Sequence, residues 1–162
     1  MFIGIGSNLG DRRENCREAR RRIAELPKTR VVKESSLYES EPHGDAKTWF
    51  ANSVIELETE LAAPELLKKL QAIEEEMGRK RTKGKRWGSR IIDLDMLFFD
   101  AEMVNKKTLK IPHPRIPERR FVLLPLSELA PQLIHPSLNM TVSQLLAKTP
   151  DKKKIHMMGL SD

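Results

Sequence analysis

The sequence is poor in several features that would place it quickly, and each shortage excludes something. One cysteine, Cys16, stands among 162 residues. An internal disulfide is therefore excluded, and the chain suits a reducing compartment. Cys16 falls at helical spacing with Ala19 and Ile23, the position of a core filler rather than a nucleophile. No apolar run reaches the length of a membrane span, and Met1-Phe2-Ile3-Gly4 lacks the charged and apolar regions of a secretory signal. A cytoplasmic protein is expected. Aromatic residues make up 5% of the chain, and none alternates with basic residues as a base-stacking strand requires. The four histidines, His43, His113, His135 and His156, are dispersed and define no triad or zinc spacing.

Common nucleotide motifs are missing as well. Gly4, Gly6 and Gly10 are followed by no Lys-Ser/Thr pair, so they form no phosphate-binding loop. They make a loose dinucleotide fingerprint, with Glu34 at a ribose-contact spacing. The first strand is short, however, and the parallel repeat of such a fold does not continue.

What is present describes one folded domain spanning residues 1–162. The hydrophobic fraction of 39% is regularly spaced and sufficient for a core. A net charge of +6 attracts polyanions; nucleic acid, a nucleotide polyphosphate and an anionic membrane surface all answer to it. Phe2 to Gly6 reads as a short buried strand closed by Ser7-Asn8-Leu9-Gly10. A helix follows from Asp11 to Leu26, its outer face carrying six arginines between Arg12 and Arg22 as a solvated surface. Val31 to Tyr38 reads as one strand. Asn52 to Leu61 alternates, with Ile55 and Leu57 facing one way and Glu56 and Glu58 the other. Pro64 opens a second helix lined by Leu66, Leu70, Ile73 and Met77, and Gly78 suits its end. Ile91 to Phe99 is a strongly apolar strand. The order strand, helix, strand, strand, helix, strand predicts an α+β fold of ferredoxin-like type, an antiparallel sheet with both helices on one face. Helices near Arg119 to Leu129 and Thr141 to Lys148 add a C-terminal helical region.

Asp93 and Asp95 lie inside the apolar strand. A side-chain period of two points both carboxylates to one face, roughly 7 Å apart at their backbones. Buried there, they repel each other and lose hydration, so they need cations. Magnesium meets that need with oxygen ligands; arginines meet it as a structural ion-pair cluster. Neighbouring residues favour the metal. Seven cations stand between Arg79 and Arg90, more than two carboxylates can neutralise, and a magnesium-bound triphosphate would balance them. Gly84 and Gly88 give this loop freedom to close over a ligand. His113, held between Pro112 and Pro114, fits either a phosphate contact or an ordinary surface loop.

Residues Arg86-Trp87-Gly88-Ser89-Arg90-Ile91-Ile92-Asp93-Leu94-Asp95-Met96-Leu97 resemble the signature of the 6-hydroxymethyl-7,8-dihydropterin pyrophosphokinases of folate synthesis. The resemblance extends over Gly6 to Gly10, Pro42 and Gly44, Phe50 to Asn52, Gln71 with Glu74, Pro112 to Pro114, and Arg119 through Leu126. It implies a magnesium-dependent transfer of pyrophosphate from ATP to the pterin, with AMP leaving. Asp93 and Asp95 would then bind two magnesium ions, and Arg86 and Arg90 would be catalytic. Gln71, Glu74, Arg79, Arg86, Trp87, Arg90, His113 and Arg119 would contact ATP. Phe50 and Phe121 would sandwich the pterin, Asn52 would bond its edge, and Ser40, Pro42 and His43 would line the same pocket. ATP and 6-hydroxymethyl-7,8-dihydropterin are the expected partners of a monomer that binds neither nucleic acid nor membrane. An RNA-binding sheet would need a Phe-x-Phe pattern. Phe98 and Phe99 are adjacent instead, so they point to opposite faces.

Overall fold

Alternating apolar residues in the N-terminal two thirds of the chain supply five strands of a six-stranded antiparallel sheet, and a strand near residue 156 supplies the sixth. The computed structural model describes residues 1–79 and 90–159. Its elements are β1 (Phe2–Ser7), α1 (Arg12–Ala24), β2 (Thr29–Glu34), β3 (Tyr38–Ser40), β4 (Phe50–Thr59), α2 (Ala63–Glu76) and β5 (Asp93–Phe98). Two short pairs follow, β6 (Val104–Asn105) with β7 (Lys110–Ile111) and β8 (Ile134–His135) with β9 (Met140–Thr141). A single 3₁₀ turn, Ile116–Glu118, leads into α3 (Arg120–Leu129), and α4 (Val142–Lys148) and β10 (Ile155–Met157) complete the order.

The ten-residue β4 organises the sheet. One edge pairs with β1, which in turn pairs with β5; the other edge pairs end to end with β3 and β2, and β10 adds to β3. The strand expected from Val31 to Tyr38 is in fact two. Ser35 interrupts it, because its hydroxyl takes the hydrogen bond of Val54 N–H at 2.9 Å, a place the strand's backbone would otherwise hold.

Each face of the sheet buries its own core. Ile3 and Ile5 of β1 and Leu94 and Met96 of β5 pack with Ala19 and Ile23 of α1 and Leu66, Leu70 and Ile73 of α2. On the other face Phe2, Val54, Leu97 and Phe98 pack with Val122, Leu123 and Leu126 of α3 and Val142 and Leu145 of α4. Phe98 and Phe99 do enter opposite cores, as their adjacency requires. Each helix has a local reason for its limits. Glu14 N–H donates to Asp11 Oδ1 at 3.0 Å, capping α1. Pro64 sits in the first turn of α2, and Gly78 just past its end has φ +91°, a conformation that favours glycine. Thr141 and Gln144 close α4 with reciprocal side-chain bonds.

The arginine face of α1 is paired rather than bare. Arg17, Arg21 and Arg22 meet Glu14, Glu18, Glu25 and Glu76, and Arg20 meets Glu34, so the ribose-type spacing of Glu34 belongs to an ion pair. Arg12 pairs with Glu39 at 2.8 Å. Cys16 is buried, and desolvation pushes its thiol up to about 12, consistent with a core role.

Candidate active site

Strand register builds this site. Asp93 pairs with Gly6, Gly6 with Asn52, and Asn52 with Tyr38, forming one row across four strands. Asp95, Gly4 and Val54 form the next row, and Ser40 stands opposite Phe50. Directly paired residues share a face, and Val54 and Leu97 identify it as the face under α3. The two carboxylates, Asn52, Ser40 and Phe50 therefore belong to one surface. Both glycines of β1 lie on it, and the room left by their missing side chains is covered by Leu97 at Gly4 and by Asn52 at Gly6. A Cβ at Gly6 would stand only 3.1 Å from Asn52 Oδ1. Asn52 Nδ2 donates to the buried Ser40 Oγ at 2.6 Å, which fixes the amide's orientation.

Arginines from three segments converge on the half-buried carboxylates. Arg79 donates to Asp93 Oδ1 at 2.8 Å and also pairs with the buried Glu74 of α2, so it bridges helix and strand. Arg90 donates to Asp93 Oδ2 at 3.1 Å. Asn8 steadies Arg90, accepting its N–H at 2.6 Å through Oδ1. Arg119 stands 3.7 Å from Asp95 Oδ2. Burial would raise the pKa of Asp93, but Arg90 and Arg79 outweigh it and hold the carboxyl below its ordinary value. Asp95 moves the opposite way. Burial and the neighbouring charge of Asp93 push it up despite Arg119. An oxygen-only pair in which one carboxyl is stabilised and its neighbour is only partly countercharged, by Arg119, suits a hard cation such as magnesium. Among the described residues no cluster of three or more protein ligands forms, so such an ion would also draw ligands from substrate phosphates and water.

His113 follows the cis Ile111–Pro112 bond, and its N–H donates to Leu97 O at 2.9 Å. Its Nδ1 accepts the Arg115 N–H at 3.2 Å. Burial, aided by Arg119, lowers its pKa to about 4. The ring is thus neutral near pH 7 with its proton on Nε2, a hydrogen-bond donor near the Arg119 and Asp93 charges. Arg119 also lies over Phe121, its Cζ 5.6 Å from the ring centroid.

Phe50 and Phe121 are brought to either side of His43. Their ring centroids lie 4.5 and 4.7 Å from that of the imidazole. Next to them is a cavity of about 330 Å³ lined by His43, Gly44, Arg115, Glu118, Arg119, Phe121, Asp151 and Lys153. Asp151 and Lys153 come from a segment that pattern reading passed over. Asp151 Oδ2 accepts the Arg120 N–H at 2.9 Å at the start of α3. Glu41 and Lys154 exchange two bonds, Glu41 N–H to Lys154 O at 3.0 Å and Lys154 N–H to Glu41 Oε2 at 2.9 Å. The Lys152-Lys153-Lys154 run was the one sequence signal for this segment. Pro42 is half-buried in the same loop, and Gln71 is half-buried one turn before Glu74 on α2. Arg86 and Trp87, with Lys83, Lys85, Gly84 and Gly88, lie outside the described residues.

Comparison with known proteins decides the lineage. The profile of the 7,8-dihydro-6-hydroxymethylpterin-pyrophosphokinase (HPPK) family matches residues 2–131. The chain belongs to this family. Among curated relatives, the 2-amino-4-hydroxy-6-hydroxymethyldihydropteridine pyrophosphokinase of Pseudomonas aeruginosa is 43% identical over 93% of this chain and 91% of its own. The Haemophilus influenzae protein of the same name is 38% identical over 96% of both chains. Solved structures share the fold at low identity. A Plasmodium falciparum HPPK-DHPS crystal structure with pteroate has a TM-score of 0.70 at 18% identity, covering 91% of this chain and 41% of that one. A crystal structure of HPPK-DHPS in complex with substrates has a TM-score of 0.71 at 13% identity, covering 90% and 44%. This chain spans less than half the length of those two proteins. The family's pyrophosphokinase fold accounts for its mixed α/β architecture, antiparallel sheet and four helices among the described residues.

Proposed function

We propose that this protein transfers the pyrophosphoryl group of ATP to the hydroxymethyl oxygen of 6-hydroxymethyl-7,8-dihydropterin in folate biosynthesis. The observation that carries the reading is the common face of β1, β3, β4 and β5. It holds the carboxylate pair at one end and the polar and aromatic pocket of Ser40, Asn52 and Phe50 at the other. Family membership supports the same reading. The strand order also supports assigning the N-terminal two thirds to the ferredoxin-like arrangement, with α3 and α4 as the added C-terminal region.

Asp93 and Asp95 would hold two magnesium ions, which when bound neutralise phosphate oxygens. The residues' own work is placement and charge. Arg79, Arg90 and Arg119 neutralise the triphosphate, with Gln71 and Glu74 at the nucleotide side and the Nε2–H of His113 given to a phosphate oxygen. Arg86 and Trp87 complete the phosphate side in this reading. Phe50 and Phe121 stack the pterin, Asn52 bonds its edge, and Ser40, Pro42 and His43 line the pocket. The hydroxymethyl oxygen forms its bond to the β-phosphorus and loses its proton to solvent, while the bond from the β-phosphorus to the α,β-bridging oxygen breaks and AMP leaves with that oxygen. Alignment of the two reactants does the catalytic work, and no side chain forms a covalent intermediate. The protein acts as a single-domain, cytoplasmic monomer on these two small molecules. Among the described residues no helix is long and apolar enough to cross a membrane.

Incubation with ATP, magnesium and the pterin tests this reading. AMP is expected to appear one-for-one with pterin diphosphate, and ADP as the nucleotide product would refute it. Phe121→Ala is expected to weaken pterin binding by about 1–3 kcal/mol, the range for base–aromatic stacking, while ATP affinity stays within twofold or so. Calorimetric titration with each ligand reads both. An unfolded variant would instead make Phe121, in the first turn of α3, a core residue.

A further inference from the structure

The aromatic slot is already filled by the protein itself. The His43 imidazole lies with its centroid 4.5 Å from that of Phe50 and 4.7 Å from that of Phe121, tilted by 69° and 80° to the two rings. These are edge-on contacts at distances where aromatic rings attract. A flat ligand stacked between Phe50 and Phe121 needs the volume that the imidazole occupies. The imidazole is also poorly suited to remain there. Its Nδ1 is buried and has no hydrogen-bond partner among the described residues, a state that costs free energy. Side chains kept for stability alone are normally satisfied. The polar atom therefore marks a side chain in a provisional place, held by ring contacts and opposed by desolvation. An exit is available, since His43 and Gly44 line the adjoining cavity.

We propose that His43 is an internal competitor for the pterin slot, occupying it in the free protein and swinging into the neighbouring cavity when the pterin enters. His43 thereby sets pterin affinity, because only the vacated fraction of molecules can bind. The proposal rests on the pterin assignment of this pocket.

Protonation adds a second handle. Inside the slot, desolvation lowers the His43 pKa to about 4, with Lys153, Arg119 and Arg90 adding to the shift and Asp151 opposing it. Outside, an imidazole returns toward its ordinary value of about 6.5. Acid therefore favours the vacated state, by up to about tenfold at pH 5.5. Competition weakens as the pH falls, although the cations lining the cavity reduce the gain.

The test is calorimetric titration of 6-hydroxymethyl-7,8-dihydropterin, with magnesium and a non-hydrolysable ATP analogue, into the wild type and His43→Ala. The variant is expected to bind roughly threefold or more tightly at pH 7.5. That advantage should shrink toward pH 5.5, and titration of the ligand itself cancels in the comparison. Equal or weaker binding by a folded variant would overturn the proposal and make His43 an ordinary contact. Pterin binding to neither protein would overturn the pterin assignment along with it. Proton NMR of the wild type gives an answer that does not depend on how the variant folds. In the free protein the His43 ring protons should be displaced by the flanking phenyl ring currents and should titrate near pH 4. Added pterin should move them toward ordinary histidine positions. Ring protons at ordinary positions in the free protein would show that the slot is empty and would end the proposal.

Discussion

Asp95→Ala is expected to remove nearly all turnover while leaving the melting temperature unchanged or higher. Asp93→Ala should remove turnover as well but lower the melting temperature. The difference follows from the partners of the two carboxylates. Asp93 takes bonds from Arg79 and Arg90, and its pKa is held low by them. Its loss takes one counterion from Arg79, which keeps Glu74, and one from Arg90, a smaller defect than the loss of about 3–5 kcal/mol from breaking a fully buried pair. Asp95 is raised by burial and by the charge of Asp93, so its ionised form strains the free protein. Truncating it relieves that strain and also removes an expected magnesium ligand. Turnover should fall by roughly 10²–10³ or more in both variants, the scale for removing one group that stabilises developing charge. Steady-state AMP production and thermal melts read the two quantities separately. A variant of either residue that keeps near-normal activity would show that the pair is structural.

The second large effect is expected at a residue with no functional group. Gly6→Val should leave a folded protein with pterin turnover reduced on the order of a hundredfold, the cost of displacing a reactant by about an ångström. Gly6 lies between Asn52 and Asp93 in the cross-sheet row, and even a methyl there would approach Asn52 Oδ1 to 3.1 Å. Valine suits the strand but pushes against Asn52, which lies over Gly6, and turns it away from Ser40. ATP binding, measured by titration with a non-hydrolysable analogue, should change much less than turnover. Full activity in Gly6→Val would mean that the placement of Asn52 does not matter to the reaction.

Different parts of this arrangement were legible to different degrees. Asp93 and Asp95 stood out because strand periodicity alone sends both to one face, and register then brought Asn52 to the same surface. The glycines of β1 could be read only as glycines; that Gly6 makes room for Asn52 depends on which residues pair across from it. The break between β2 and β3 escaped pattern reading because Val31 to Tyr38 is continuous in strand character. Its cause is one side-chain bond between Ser35 and Val54, nineteen positions apart. Arg79 looked like one cation of seven, and only tertiary packing made it the link between Glu74 and Asp93. Asp151 and Lys153 were hidden for a similar reason. They reach the pocket through the pairing of β10 with β3, a contact between distant stretches that no local period encodes. The signature from Arg86 to Leu97, by contrast, holds both carboxylates and Arg90 within a dozen residues.

That distant pairing has a consequence for how the protein is made. β10 is the last strand in chain order, and it completes the sheet beside Tyr38, Glu39 and Ser40. During synthesis β3 leaves the ribosome more than a hundred residues before its outer partner, so until then its outward backbone groups have only water to bond. An unpaired strand edge is a template for pairing with another chain. The Glu41–Lys154 bonds that anchor the pocket loop also wait for that segment. The nascent chain can therefore bury the core beneath α1 and α2 early, yet the pocket beside His43 is complete only once Lys153 to Met157 have emerged.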